Sequence, residues 1–218
     1  MTMKKRLLCS GNLSVEQEKN KGGFTLSLSP FMLRCCQPVV WLDGCEYPLD
    51  SWKISRQTAK KVALSAENSA GRWHLSFAGD GEALVMQLGG TLKQPCRAIK
   101  LYYFSGGRVA ADHLLSQGMK MGGCQSIPLT GSGKEDFTGY YQLLLTSKGT
   151  SLRLSCPLKH DLLMSFSGRS GKKQVLHLQA GTEIRNYVGK KIELPPLSFR
   201  IGNGIELKFK FIFYTHGQ

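Results

Sequence analysis

Residues 72–88, RWHLSFAGDGEALVMQL, decide the fold class because they contain a complete β-hairpin pattern. Apolar and polar side chains alternate on both sides of the turn sequence Gly79-Asp80-Gly81. The alternating apolar positions are Trp73, Leu75, Phe77, Leu84, Met86 and Leu88. Since successive side chains of a strand point to opposite faces, this pattern predicts two antiparallel strands that bury one face.

The same alternation recurs along most of the chain, and glycine or proline turns separate the runs. Strands are predicted at residues 24–29, 39–42, 97–104, 140–146, 151–155, 162–166, 174–179, 191–194 and 205–214. Residues 55–66 fit either a helix or a strand, and we favour a strand at their end. A chain of about a dozen short strands, with at most one or two short helices, is typical of a large antiparallel β-sandwich.

One segment departs from the strand pattern. Residues 109–117 predict a short helical turn, with Gly118 as the residue that ends it. The glycines of residues 118–128 permit a tight loop over the sheet that brings backbone amides near a ligand or a neighbouring domain. An ordinary surface loop is the alternative interpretation.

The domain organisation follows from length and composition. A chain of 218 residues with 41% hydrophobic residues is long enough to bury one large core. We expect residues 1–23 to be a partly irregular N-terminal extension, because residues 15–23 are charged and polar. Residues 24–218 are then a single β-sandwich domain.

The chain is strongly basic, with a formal net charge of +14. Such a charge favours acidic partners, nucleic acid among them. Lys and Arg are scattered, however, and the densest runs are residues 4–6, 60–61, 172–173 and 190–191. Short charge clusters are usually solvated strand ends, so nucleic acid is the disfavoured partner. The sequence has no apolar run long enough to span a bilayer, and we expect no membrane partner.

The seven cysteines are irregularly spaced and include no C-x-x-C pair. This usage is typical of reduced thiols in a cytoplasmic protein, and no apolar signal-peptide run follows the basic N-terminus. Cys35 and Cys36 are neighbours that would point to opposite faces of a strand, which disfavours a shared metal ion. We therefore expect neither a metal nor a cofactor.

No catalytic motif stands out in the sequence. The G-x-S-x-G and H-E-x-x-H patterns do not occur, and the five histidines are dispersed singly. Glu135 and Asp136 are adjacent carboxylates, but neighbours in sequence seldom face each other across a sugar bond as glycoside hydrolysis requires. These patterns therefore identify no catalytic residue.

Three short motifs in residues 114–141 suggest a family. These are Leu114-Leu115-Ser116-Gln117-Gly118, then Gly123-Cys124-Gln125-Ser126, then Phe137-Thr138-Gly139-Tyr140-Tyr141 at the start of a strand. Together with residues 180–184 and Pro195-Pro196-Leu197, they resemble the N-terminal domain of melibiase-type α-galactosidases and related glycosidases. The chain departs from the family pattern at Cys124, where an aromatic residue is usual, and at Ile127, which stands in place of a tryptophan.

The resemblance implies a large β-sandwich that packs against a following catalytic barrel. The catalytic aspartates of the family lie in that barrel, and the chain stops at Gln218, about where the barrel would begin. The resemblance thus implies that the chain is not an enzyme on its own and does not hydrolyse glycosides. The implied partners are a carbohydrate or a glycosidase catalytic domain, and an uncovered apolar face would also permit a homo-oligomer. The resemblance points to Gly123, Gln125 and Ser126 as ligand-binding candidates, while Trp41 and Trp52 are candidate platforms for sugar stacking.

Three functional hypotheses follow. The first is a non-catalytic, carbohydrate-associated β-sandwich that binds a glycan or a catalytic domain. The second is a basic nucleic-acid-binding module, motivated by the net charge and by Lys208 and Lys210 beside Tyr214 on one strand face. The third, and least supported, is a stand-alone enzyme that uses Asp112, Asp136 or Asp161.

Overall fold

The computed structural model describes residues 4–18, 22–111, 115–120, 123–128, 135–140, 142–147, 149–156, 163–169 and 174–203. Within these ranges the chain forms twenty β-strands and no helix, so the prediction of an all-β fold is confirmed. In chain order the strands are β1 (Lys4–Ser10), β2 (Leu13–Glu18), β3 (Phe24–Leu28), β4 (Phe31–Cys36), β5 (Val39–Leu42), β6 (Cys45–Pro48), β7 (Lys53–Gln57), β8 (Lys61–Glu67), β9 (Gly71–Gly79), β10 (Ala83–Leu92), β11 (Ala98–Ala111), β12 (Leu115–Lys120), β13 (Gly123–Pro128), β14 (Glu135–Tyr140), β15 (Gln142–Ser147), β16 (Thr150–Ser155), β17 (Leu163–Arg169), β18 (Gln174–Arg185), β19 (Lys191–Glu193) and β20 (Leu197–Asn203).

The strands form two antiparallel sheets of ten strands each. Sheet I has the order β1-β2-β3-β4-β11-β18-β17-β14, and β5 pairs with both β11 and β6. Sheet II has the order β13-β12-β15-β16-β20-β10-β9-β8-β7, and β19 pairs with β10. The number of strands exceeds the predicted dozen because β1, β2, β4, β6, β12, β13, β14 and β20 lie in segments where the sequence predicts no strand.

The hydrophobic core lies between the two sheets. The ring of Phe24 on β3 in sheet I lies 5.2 Å, centroid to centroid, from the ring of Phe77 on β9 in sheet II. The largest side chains that are fully buried are Trp73, Tyr103, Phe24, Phe31, Phe77, Phe104 and Phe199. Because both sheets contribute aromatic rings to this layer, the fold is the sandwich that the alternation predicts.

The hairpin predicted at residues 72–88 is confirmed in its register. Leu75 lies opposite Leu88 and Phe77 lies opposite Met86, and all four side chains are buried. At the turn, the backbone N–H of Ala83 donates to Oδ1 of Asp80 over 3.1 Å. Residues 55–66 likewise form a hairpin, β7 with β8, so the strand interpretation is correct there.

Residues 4–18, which we expect from the sequence to belong to a partly irregular N-terminal extension, form strands β1 and β2. Strands β1 and β2 pair with each other, and β2 pairs with β3 inside sheet I. Leu13 and Val15 are both buried, so even two alternating apolar residues hold this segment in a strand despite the polar residues that follow. Arg6 lies opposite Glu16, and such a cross-strand pair of opposite charges supports a strand rather than a turn.

The helical turn expected at residues 109–117 is wrong. Val109 belongs to β11 and lies opposite both Leu33 on β4 and Leu176 on β18, so its backbone joins a ladder on each side. Gly118 stands inside β12, between Gln125 and Leu143. Strand pairing with distant segments overrides the local helix preference. The expected loop at residues 118–128 is in consequence a strand pair, β12 with β13, across its described residues.

The other strand predictions agree with the structure where it describes them. The strands predicted at residues 140–146 and 151–155 correspond to the hairpin of β15 and β16, in which Leu143 lies opposite Leu154 and Leu145 opposite Leu152. The strand predicted at residues 205–214 lies outside the described residues, as do Asp112 and Asp161.

Candidate functional site

The five residues that the sequence predicts as ligand-binding do not lie together. Gly123, Gln125 and Ser126 are on β13, the edge strand of sheet II, where Gln125 pairs with Gly118. Trp41 is on β5 of sheet I. A single ligand pocket built from all five is therefore not what the fold provides.

Trp52 occupies a core position. It is 5% exposed, and its ring centroid lies 6.4 Å from that of Phe24. Its Nε1 is buried and has no hydrogen-bond partner among the described residues. A ring held in this way has no free face, which does not suit stacking on a sugar. Trp41, by contrast, is half-buried on the other side of its strand from the buried residues Val40 and Leu42.

Trp41 belongs to a row of side chains on the outer face of sheet I. The row crosses three neighbouring strands, since Trp41 on β5 lies opposite Lys100 on β11, and Lys100 lies opposite Glu183 on β18. Residues directly opposite in an antiparallel pair share a face. Tyr102 is the next residue of β11 on that face. We call Trp41, Lys100, Tyr102 and Glu183 the outer patch.

Hydrogen bonds connect the polar members of the outer patch. The hydroxyl of Tyr102 donates to Oε1 of Glu183, and Nζ of Lys100 lies 3.2 Å from Oε2 of the same carboxylate. Each oxygen of Glu183 thus has its own donor. The Glu183 side chain nevertheless remains 53% exposed, so both oxygens keep room for further hydrogen bonds from a ligand.

These contacts set the protonation states. The hydrogen bond from Tyr102 is the largest influence that lowers the pKa of Glu183, burial opposes it, and the positive charges of Lys100 and Arg185 lower it further. Burial, followed by the adjoining Glu183, raises the pKa of Tyr102. At neutral pH Glu183 is therefore an ionised acceptor and Tyr102 a protonated donor.

The position of Tyr102 depends on a glycine. Gly181 lies opposite Tyr102 in the register of β11 and β18, and a Cβ at Gly181 would stand 2.6 Å from Cα of Tyr102. The bare backbone lets the Tyr102 ring lie across β18 toward Glu183. This packing explains why Tyr102 is only 7% exposed although it lies on the outer face.

An open cleft of about 580 Å³ lies at one end of the strands that carry the outer patch. It is lined by Asp43, Pro95, Cys96, Arg97, Tyr187, Val188, Gly189 and Lys190. Oδ1 of Asp43 accepts hydrogen bonds from the backbone N–H groups of Arg97 and Ala98, each over 2.8 Å, which fixes the cleft wall next to β11. Val188 is 97% exposed there, so the cleft combines an apolar surface with two cations.

Sequence reasoning missed Lys100, Tyr102 and Glu183 as a group. The alternation in residues 97–104 does assign Lys100 and Tyr102 to one face, which is the usable signal. Glu183 is 81 positions from Tyr102, and no local pattern connects them. The structure reveals the cluster because it gives the register of β11 and β18.

Among the described residues, no group of three or more His, Cys, Asp or Glu side chains is arranged to hold a metal ion. The described part of the chain also has no helix long and apolar enough to cross a membrane. Within the described ranges, Cys9, Cys45 and Cys96 are free thiols. Burial raises the pKa of Cys156 to about 11, which disfavours its reactive thiolate form.

Comparison with known proteins shows the fold. Neither a protein-family model nor a curated protein sequence matches the chain. Among solved structures, 93% of the chain matches 96% of the Slr1438 protein from Synechocystis sp. PCC 6803, with 10% identity and a TM-score of 0.59. The same share matches all of a galactose mutarotase-like protein from Lactobacillus casei ATCC 334, with 9% identity and a TM-score of 0.58.

A third structural relative is much longer than this chain. The α-galactosidase from Lactobacillus brevis matches 93% of the chain over 40% of its own length, with 6% identity and a TM-score of 0.54. At such identities the likeness is one of fold. The chain therefore has a β-sandwich fold found both in a galactose mutarotase-like protein and within an α-galactosidase.

Proposed function

We propose that the protein is a non-catalytic carbohydrate-binding module that takes its ligand on the outer patch. The observation that carries the proposal is the row from Trp41 through Lys100 to Glu183 across three adjacent strands. This row presents an aromatic ring beside a cation and an ionised carboxylate on one face of a rigid sheet.

The chemistry of the row suits a sugar. The apolar face of a tryptophan ring offers a surface for the C–H face of a pyranose, while its neighbours supply polar contacts. Glu183 accepts hydrogen bonds from sugar hydroxyls, and the ammonium group of Lys100 donates to sugar oxygens. Tyr102 and Gly181 hold the carboxylate in place, so little side-chain conformational entropy is lost when a sugar binds.

The electrostatics favour binding over hydrolysis. A general acid that cleaves a glycosidic bond has to hold a proton at neutral pH, which requires a raised pKa. The pKa of Glu183 is lowered instead, so this carboxylate is suited to accept hydrogen bonds. The cleft beside the patch has a volume in the range of small-ligand sites and could receive the next sugar unit of a chain.

The fold likeness supports the same class of ligand, since two of the structural relatives carry names of galactose or galactoside proteins. It also supports a second candidate function, the docking of a glycosidase catalytic domain. The chain corresponds to 40% of the Lactobacillus brevis α-galactosidase, and the rest of that enzyme supplies a probe. Co-elution of that remainder with this chain in size-exclusion chromatography would support docking, and separate elution would count against it.

The principal test is calorimetric titration with a panel of neutral and acidic oligosaccharides. We expect Trp41→Ala and Glu183→Gln each to weaken the binding of a positive ligand at least tenfold, which corresponds to about 1.4 kcal/mol. Met32→Ala is the matched control, because Met32 is an exposed large apolar residue on β4, away from the row. Binding that survives both patch substitutions unchanged, or no binding across the panel, would overturn the proposal.

A further inference from the structure

Two edge strands from different sheets meet on one side of the sandwich. Strand β1 is an edge of sheet I, and β7 is an edge of sheet II. The side chain of Gln57 on β7 joins them, since its Nε2 donates to the backbone carbonyl oxygen of Leu7 on β1 over 2.8 Å. The two segments, distant in sequence, therefore form one continuous surface.

This surface is basic along its whole length. Its exposed cations are Lys5 and Arg6 on β1, Lys53 and Arg56 on β7, and Lys60 and Lys61 at the turn into β8. Neither residues 4–10 nor residues 51–66 contain an aspartate or a glutamate. We call these six cations the basic edge. The fold gathers charges that are scattered in the sequence.

Most of these cations form no ion pair with a carboxylate of the described residues. In the part of the chain that the structure describes, Lys53, Arg56, Lys60 and Lys61 form no ion pair, whereas Arg72 and Lys93 share Glu67 at 3.6 and 3.1 Å. Lys5 and Arg6 lie opposite Gln17 and Glu16 on β2, so the β1 end of the strip faces an acid. The β7 and β8 end is free to attract an anion.

The shape and chemistry of the strip favour a nucleic-acid backbone. Strand β7 has five residues, and with the turn that follows the cations extend over roughly 15–20 Å at about 3.3 Å per residue. A duplex presents a phosphate charge about every 1.7 Å along its axis, so several phosphates fit this length. Contacts of this kind position a protein on the duplex without reading its sequence.

The apolar residues of β7 argue against a lipid surface. Trp52, just before the strand, is buried, and Ile54 is half-buried against the core. Membrane-surface binding needs exposed apolar side chains beside the cations, and this edge turns them inward. Charges on edge strands also prevent sheet-to-sheet pairing, which is compatible with a binding role.

We propose that the basic edge binds double-stranded nucleic acid through its phosphates, independently of the carbohydrate function. This proposal departs from the expectation that nucleic acid is disfavoured, which rested on charges that the sequence leaves scattered. The binding should be insensitive to base sequence and strongly dependent on salt, because it rests on the release of counterions.

The test is fluorescence anisotropy with a labelled DNA duplex over a series of salt concentrations. Four contacting cations predict that log K falls with log salt with a slope of about −3.6. Lys60→Gln/Lys61→Gln should reduce that slope by about 1.8, since each phosphate contact contributes about 0.9. The matched control is Arg72→Gln/Lys93→Gln, which removes the same charge from an ion-paired site and should leave the slope within experimental error.

Each outcome decides for or against the proposal. An equal effect of the two double variants would mean that net charge alone attracts DNA, and the basic edge would lose its role. Undetectable binding of the duplex at low salt would overturn the proposal. So would binding of heparin, at matched charge, by a protein that does not bind the duplex, since the partner would then be a sulfated polysaccharide. Trp41→Ala is expected to leave DNA binding unchanged, which separates this result from the carbohydrate test.

Discussion

Tyr102 lies across Gly181 on the neighbouring strand, and its hydroxyl group donates a hydrogen bond to Glu183, two residues after Gly181. A Cβ at Gly181 would stand 2.5 Å from the carbonyl oxygen of Leu101 and 2.6 Å from Cα of Tyr102. Real Cβ atoms do not approach backbone atoms so closely. The glycine is therefore part of the mechanism that places the carboxylate of the outer patch.

Gly181→Ala should destabilise the protein by about 1–3 kcal/mol, because the added methyl group overpacks a site whose neighbours are backbone atoms. Urea denaturation followed by tryptophan fluorescence measures the loss as a lower midpoint. Gly44→Ala is the comparison, since nothing lies within 4 Å of a Cβ there and only its φ of 86° causes strain. A loss at Gly181 no larger than that at Gly44 would contradict the packing argument.

Tyr102→Phe should reduce stability at neutral pH by about 0.5–1.5 kcal/mol, the usual net contribution of one hydrogen bond. The effect should depend on pH in a definite direction. The pKa of Glu183 is lowered in the folded state, chiefly by this hydrogen bond, so its stabilisation is present above the ordinary value of 4.5 and is lost as pH falls through the folded-state pKa.

Denaturation curves at pH 7 and pH 3 for the wild type and Tyr102→Phe test this dependence. The difference between the two proteins should be smaller at pH 3, because the Glu183 carboxyl of the unfolded chain is protonated below its ordinary pKa of 4.5. Glu183→Gln provides the control, because Tyr102→Phe added to it should show almost no dependence on pH in this range. A difference that stays constant from pH 7 to pH 3 would mean that the hydroxyl does not act through the carboxylate.

What the sequence predicts depends on how far apart two interacting residues are along the chain. Phe77 and Met86 are paired by a turn between them, so their alternation identifies both strands and their buried face. Val109 offers no such signal, since its partners Leu33 and Leu176 come from distant segments. A local pattern at residues 109–117 consequently indicates a helix where the fold forms a strand.

The candidate site, too, is predictable from the sequence only in part. Trp41 was identified by its residue type, but its neighbours Lys100 and Glu183 become visible only when the register across β5, β11 and β18 is known. Trp52 has the same residue type and lies in the core, because burial depends on which side of the strands the ring faces. Residue type alone does not distinguish the two tryptophans.

Trp52 and Trp73 offer a comparison between two buried indoles. Nε1 of Trp73 donates to Oδ1 of Asn68 over 3.0 Å, whereas Nε1 of Trp52 has no partner among the described residues. Trp73→Phe should therefore cost about 1 kcal/mol more than Trp52→Phe, since only the first loses a hydrogen bond while both lose similar ring volume. Thermal and urea unfolding of the two variants give the difference. Equal losses would indicate that the Trp52 indole has a partner in solution.

Tyr103 closes a gap in the hydrogen bonding of β10. That strand pairs with β20 through Ala83–Met86 and with β19 through Gly89–Thr91, and the N–H of Leu88 lies between the two ladders. This N–H donates to the hydroxyl of Tyr103 over 3.2 Å, and the hydroxyl in turn donates to the carbonyl oxygen of Pro195 over 2.9 Å. A side chain of sheet I thus completes the backbone hydrogen bonds of sheet II.

Tyr103→Phe should cost about 1–3 kcal/mol, because it leaves the buried N–H of Leu88 without an acceptor. Burial raises the pKa of Tyr103 above its ordinary value of 10, so the hydroxyl stays protonated in the folded state while the unfolded chain begins to ionise near pH 10. The stability difference between the wild type and Tyr103→Phe should accordingly be constant from pH 6 to 9 and shrink above pH 10. Urea unfolding at these pH values measures the stability difference. Tyr47→Phe is the control, and it should change stability by less than about 0.5 kcal/mol because Tyr47 is only half-buried. A Tyr103→Phe variant as stable as the wild type would show that Leu88 finds another acceptor, and Tyr103 would then link the two sheets through apolar packing alone.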